Sequence, residues 1–190
     1  MKHFMQVGIL PVAPLLDAAA RHAARFNDET WRESYPGSPH ADSRSIYLRM
    51  PPTISVDSVF NSLEVVDRPI MAERAFSEAC SAIALMVGTP LARAMIVSLA
   101  PNGLIAPHAD EGLYAEATER YHLAILSNPK ARLKAGEETL RLRPGVVWWF
   151  DKHVTHSGHN LGEAPRIHLI VDVFRAINRN QVNLPPPEAA

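Results

Sequence analysis

The stretch 166-RIHLIVDVF-174 alternates with a period of two: Ile167, Leu169, Val171 and Val173 fall on one side, while Arg166 and His168 begin the other. Aliphatic, β-branched residues at every second position read as a strand with one face on an apolar layer. The same reading of 120-RYHLAIL-126 sets Tyr121, Leu123 and Ile125 against Arg120, His122, Ala124 and Leu126. Both strands therefore offer an apolar face to helices and an Arg/His face to an interior.

Working outward, short apolar segments recur at residues 93–99, 121–126, 138–142, 146–150 and 166–174, separated by Pro, Gly and Asn turns. This spacing predicts many short antiparallel strands after an N-terminal helical part. In that part, Pro14 opens a helix over 14–26 with Leu15, Leu16, Ala19, Ala20, Ala23 and Phe26 at helical spacing. The Pro- and Gly-broken segment 27–43 reads as a surface loop, and 44-RSIYLRM-50 as a strand ended by Pro51 and Pro52. A second helix is predicted over 69–87: Pro69 suits its first turn, Asp67 its cap, and Gly88 its stop. Its buried face is Ala72, Phe76, Ala79, Cys80, Ile83 and Val87.

A chain of 190 residues fits one domain. We expect it over 1–183, with a helical part about 1–90, a strand core about 91–176, and a disordered tail at 184–190. The net charge of −1, from 19 basic and 20 acidic residues without a Lys/Arg run, gives no electrostatic reason to expect nucleic acid or a membrane as partner. The apolar start of the chain is interrupted by Pro11, Pro14 and Asp17, and no uncharged run reaches the length of a membrane span, so the expected location is cytoplasmic. One cysteine, Cys80, excludes an intrachain disulfide framework and reads as a small core residue. Glycine-rich phosphate-binding motifs are absent from the sequence.

The chemistry concentrates elsewhere. His108 and Asp110 stand two positions apart in 104-LIAPHADEGLYAEATERYHLAI-125, which on an extended segment aims both to one side. A third ligand is available from 148-WWFDKHVTHSGHN-160 as His153, His156 or His159. Two imidazoles and one carboxylate on one face of a metal leave open positions, the arrangement of non-haem Fe(II) oxygenases. Arg166 at an inward strand position needs an anion, and its planar fork suits a carboxylate; internal pairing with Asp172 or Asp151, or a strand-end arginine reaching solvent, is the alternative. Arg120 and His122 share a face and extend a lining for anionic groups, which implies an acidic small molecule. Arg44 and Arg49 are expected at the pocket mouth. Asp151, Asn160 and His168 are expected to support the ligands from behind.

Taken together, the pieces 105-IAPHAD-110, 120-RYHLAI-125, 144-PGVVWWFD-151, His156, Asn160 and 166-RIHLIVDVF-174 resemble the aspartyl/asparaginyl beta-hydroxylase family of Fe(II)- and 2-oxoglutarate-dependent dioxygenases, which includes free-proline hydroxylases. The ten-residue step from His156 to Arg166 and the order of the pieces carry the resemblance. It implies an all-β core with N-terminal helices, folded as a double-stranded beta-helix (jelly-roll, cupin-like). It implies further that His108, Asp110 and His156 hold the iron and that Arg166 grips the distal carboxylate of 2-oxoglutarate. By the same match His122 stands on the co-substrate side and Arg120 nearer the prime substrate. Members acting on protein domains often lack the carboxylate ligand, which is present here as Asp110. The expected function is therefore hydroxylation of an amino acid, an amino-acid derivative or a small acidic metabolite with molecular oxygen. Hydroxylation of an aspartyl, asparaginyl or other peptide residue is the alternative, and a non-catalytic cupin-like ligand-binding or interaction protein is the second.

Overall fold

The computed structural model describes residues 1–176. In chain order the elements are β1 (Phe4–Ile9), α1 (Ala13–Arg21), α2 (Trp31–Ser34), β2 (Ser43–Met50), α3 (Val56–Asn61), β3 (Val66–Asp67) and α4 (Arg74–Val87). There follow β4 (Leu91–Leu99), β5 (Leu104–His108), α5 (Leu113–Ala117), β6 (Thr118–Leu126), β7 (Ala131–Ala135), β8 (Glu138–Leu140), β9 (Val146–Phe150), β10 (His156–Asn160) and β11 (Arg166–Phe174). A seven-stranded sheet runs β1-β9-β6-β11-β4-β2-β3, and a four-stranded sheet runs β5-β10-β7-β8. All pairings are antiparallel. This is the double-stranded beta-helix core with N-terminal helices that the sequence led us to expect.

The period-two pattern of β6 and β11 becomes the main core. Tyr121, Leu123 and Ile125 pack with Leu169, Val171 and Val173 beneath Phe76, Cys80 and Ile83 of α4 and Leu15 and Ala18 of α1. Burial of each large aliphatic or aromatic side chain contributes about 1.5–3 kcal/mol, which fixes the face that each strand turns to the helices. The opposite faces of these strands then have to point between the sheets. That is where Arg120, His122, Arg166 and His168 lie.

Several boundaries differ from the sequence reading, each for a local reason. The first helix stops at Arg21, because His22 leaves helical geometry (φ −102, ψ 18) and its ring meets Glu73 at 3.1 Å; a 3-10 segment, Ala23–Asn27, continues the path. The helix predicted over 69–87 divides into a 3-10 turn, Pro69–Ala72, and α4, broken at Glu73 with ψ 115. Asp67 is no cap: it belongs to β3, and its carboxylate pairs with Arg49 at 2.6 Å. Gly88 ends α4 as expected, in the left-handed region at φ 71, a conformation that a β-carbon disfavours. The N-terminal part also supplies strands: β1 pairs with β9, while β2 and β3 extend the same sheet beyond β4. The supposed loop 27–43 holds α2. No helix among the described residues is long and apolar enough to cross a membrane. The tail expected at 184–190 lies outside the described residues.

Candidate metal centre and its pocket

His108 and His156 meet through strand pairing. They stand directly opposite each other in the β5–β10 ladder, with ring centroids 4.2 Å apart. Each ring is oriented from behind: His108 Nδ1 lies 2.8 Å from Ala106 O, and His156 Nδ1 lies 3.1 Å from Val154 O. With Nδ1–H donating to a carbonyl, the Nε2 atoms remain as lone-pair donors on the same side.

Asp110 completes the group by a different route from the one expected. β5 ends at His108, so strand alternation does not place Asp110. Its backbone N–H donates to Lys152 O at 2.9 Å, and Arg120 Nη1 donates to its Oδ2 at 2.6 Å. Its Oδ1 is thereby turned toward the imidazoles, 3.8 Å from His108 Nε2 and 3.7 Å from His156 Nε2. One ligand atom from each of the three residues lies within 4.8 Å of the others. Two neutral imidazoles and one carboxylate are the donor set of a facial triad, so the residues present fit a divalent iron.

The charge states agree with that use. Burial lowers His108 and takes His156 down to about 4, which keeps both rings neutral through the ordinary histidine range. Burial pushes Asp110 up, but the positive charges beside it, Arg120 foremost and then Lys152, outweigh it, and the carboxyl ends below its usual value. Proton competition for the triad is therefore displaced toward acid.

His153 and His159 stay outside. On β10, His156, Gly158 and Asn160 share one face, so His159 projects to the other; His153 lies before the strand, with Nε2 2.9 Å from Arg175 Nη2. Only His156 of the three combines burial with an Nε2 aimed at Asp110.

Behind Asp110 lies a buried ionic group. Arg120 Nε donates to Asp172 Oδ1 at 2.8 Å and Nη2 to Oδ2 at 3.0 Å, and the Tyr114 hydroxyl donates to Asp172 Oδ2 at 3.1 Å. Burial raises Asp172, yet Arg120 together with these hydrogen bonds brings it down to about 2. Lys152, 1% exposed, donates to Thr118 Oγ1 at 2.7 Å; burial takes it down to about 8.

Among the described residues Arg166 has no such partner. It is 3% exposed, its Nη1 reaches Arg132 O at only 3.4 Å, and its Nε finds no acceptor among them. Burial lowers its pKa to about 10, with the Arg32 charge the next cause. Neither internal pairing named as the alternative occurs: Asp172 sits opposite Arg120 in the β6–β11 register, and the side chain of Asp151 is 3.4 Å from His3 Nδ1. Gly158 keeps space here, since a β-carbon on it would stand 3.2 Å from Arg166 Nη1. Nearby, His122 and His168 face each other Nδ1 to Nδ1 at 3.4 Å, and the Nε2 of each is buried without a partner among the described residues. Burial holds both well below the normal histidine value. The guanidinium's own Nε and the two imidazole Nε2 atoms beside it carry an unmet demand for a polar ligand.

The remaining expected residues are placed differently. Arg44 is exposed and bonds Ala41 O and Ser43 O, and Arg49 bonds Asp67, so neither lines the pocket. Asn160 ties Leu99 O, Ala100 O and Ala164 O rather than a ligand histidine. Asp151 accepts from the His153 backbone. Reasoning from the sequence missed Arg32 and His40, which line a cavity of about 470 Å³ that His108, Asp110 and Arg120 also line. The only hint in the sequence is the density of aromatic and basic residues in 31-WRESYPGSPH-40.

A family model described as Aspartyl/Asparaginyl beta-hydroxylase matches residues 70–176. Among solved structures, the non-heme alpha ketoglutarate dependent epimerase SnoN from nogalamycin biosynthesis superposes with a TM-score of 0.58 at 16% identity, covering 99% of this chain and 86% of that one. AviO1 from Streptomyces viridochromogenes Tue57 gives 0.56 at 15% identity, covering 92% and 90%. The viral collagen prolyl hydroxylase vCPH from Paramecium Bursaria Chlorella virus-1 gives 0.53 at 8% identity, covering 92% and 97%. At these identities the likeness is one of fold.

Proposed function

Since the chain belongs to the aspartyl/asparaginyl beta-hydroxylase family, we propose that it is an Fe(II)- and 2-oxoglutarate-dependent hydroxylase of an amino acid, an amino-acid derivative or another small acidic metabolite. Family and triad together make it a dioxygenase. The observation that carries the co-substrate is Arg166, a buried guanidinium without an anionic partner among the described residues. Its five donors in a fixed fork suit a carboxylate, and a dicarboxylate could reach from that fork toward the triad side of the barrel.

Each residue then has a task. His108, Asp110 and His156 would hold the metal, and Arg120, by fixing Asp110 Oδ2, leaves Oδ1 free for it. Arg120 thus serves the ligand, and it also lines the cavity beside the triad, on the side where the resemblance puts the prime substrate. Arg166 would take the distal carboxylate, with His122 beside it on the co-substrate side. Phe150, packed edge-on against both His122 and His156, keeps bulk water from their rings. Iron and 2-oxoglutarate, once bound, supply the oxidation in which molecular oxygen converts 2-oxoglutarate to succinate and carbon dioxide and leaves one oxygen atom in a substrate C–H bond. Orientation of that C–H bond and exclusion of water are what the protein adds.

The test is a coupled screen of amino acids, short peptides and acidic metabolites with Fe(II) and 2-oxoglutarate. We expect one small acidic compound to gain a single oxygen in step with succinate. Stoichiometric hydroxylation of peptides alone would overturn the substrate class. A complete lack of succinate formation from iron-loaded protein across the screen would overturn the co-substrate.

A further inference from the structure

Three arginines line the cavity beside the triad: Arg32, Arg93 and Arg120. Two already have both terminal nitrogens engaged, although Arg93 Nε has no acceptor among the described residues. Arg93 donates to Val59 O, Ser58 O and Ser62 O at 2.7, 2.9 and 2.8 Å and lies over the Tyr114 ring. Arg120 is divided between Asp110 and Asp172. Arg32 is different: its one side-chain hydrogen bond among the described residues runs from Nη1 to Ser43 Oγ at 3.0 Å, and no carboxylate pairs with it. Neither oxygen of neighbouring Glu33 bonds to it.

The rest of the lining is apolar and aromatic. Trp31 and Tyr35 stack at 4.8 Å between centroids, and Tyr47, Met50, Phe60 and Met95 continue the wall. A volume of about 470 Å³ suits a small molecule held mostly by apolar contact and oriented by a few polar groups. We propose that Arg32 is the anion subsite of the prime substrate, and that it selects a small carboxylic acid with an apolar or aromatic body. This rests on the dioxygenase reading given above and narrows it. A single planar fork matches one carboxylate, whereas a phosphate dianion calls for further positive charge. The distal carboxylate of 2-oxoglutarate is assigned above to Arg166, which does not line this cavity. Arg32 also comes from α2, outside the residues matched by the family model, where a feature of this chain's own specificity is free to reside.

Titration calorimetry with hydrocinnamate and its uncharged amide, hydrocinnamamide, tests the assignment. The protein is loaded with Zn(II) and 2-oxoglutarate in one series and left without either in another. We expect the parent to favour the acid by about tenfold or more, the range of a charged hydrogen bond. Arg32→Met should bring acid and amide to within roughly twofold, and Arg32→Lys should fall between because it keeps charge and loses the fork. Acetate, lacking the apolar body, should bind at least about tenfold more weakly than hydrocinnamate. The 2-oxoglutarate affinity should be the same in all three proteins, which also shows that the variants are folded. No preference for the acid in the parent, or an undiminished preference in Arg32→Met, overturns the proposal. So does a loss of 2-oxoglutarate affinity in Arg32→Met, which assigns Arg32 to the co-substrate instead. Failure of the parent to bind 2-oxoglutarate would count against the dioxygenase reading separately, because the series without metal still reads the acid preference.

Discussion

Replacement of His156 by alanine is expected to reduce Fe(II) affinity by on the order of a hundredfold or more, since loss of groups that merely support a ligand already costs about 10–100-fold. The same change at His153 or His159 should leave the affinity within about threefold of the parent, a span corresponding to roughly 0.6–0.7 kcal/mol. The contrast follows from strand parity: His156 shares its face with Gly158 and points Nε2 at Asp110, while His159 projects from the other face of β10. Anaerobic titration with Fe(II) measures all three variants. Retention of parental affinity in His156→Ala, or its loss in His159→Ala, would refute the triad as assigned.

The second large effect is on stability. Arg120→Met should destabilise the metal-free protein by about 3–5 kcal/mol, the usual cost of leaving one member of a buried ion pair without its partner. For a chain of this size that corresponds to a fall in Tm of roughly 6–20 °C. Asp172 is 1% exposed, and its pKa of about 2 expresses the pairing. A carboxyl depressed in the folded state stabilises the fold fully above its unfolded pKa of about 3.9 and loses that contribution as the pH falls through about 2. The gap between parent and variant should therefore be widest near neutrality and narrow toward pH 2. Thermal melts across that range measure it. Equal melting temperatures at pH 7 would mean that the Arg120 guanidinium does not hold Asp172.

The same pair illustrates what the sequence carries and what it withholds. Alternation in β6 and β11 placed Tyr121, Leu123, Leu169 and Val171 on the helix side and Arg120, His122, Arg166 and His168 on the inner side, and the core confirms both faces. Parity alone does not give register. Asp172 shares a face with Arg166, yet the two stand six positions apart along the strand, roughly 20 Å at about 3.3 Å per residue. Pairing across the sheet brings Asp172 to Arg120 and leaves Arg166 alone. Likewise β1 was hidden because its partner β9 is some 140 residues away, and an apolar chain start carries no local mark of that pairing. Arg32 was illegible for a related reason. Segment 31–40 has no periodicity, so nothing in it says which side chains turn inward; only packing against β2 and the cavity decides.

The central claim is that Arg166 receives the distal carboxylate of 2-oxoglutarate while the triad holds iron. The most direct measurement is the 2-oxoglutarate dissociation constant of Arg166→Met beside that of the parent, both Fe(II)-loaded and anaerobic, with Fe(II) affinity determined in parallel. Loss of even one charged hydrogen bond, about 1.5–3 kcal/mol, should weaken 2-oxoglutarate binding by about tenfold or more. Arg166→Lys should lie between the two, since it keeps the charge without the fork. Fe(II) affinity should stay near the parental value in both variants, because Arg166 bonds none of His108, Asp110 or His156. If Arg166→Met binds 2-oxoglutarate as tightly as the parent, the buried guanidinium has another role and the co-substrate assignment is contradicted.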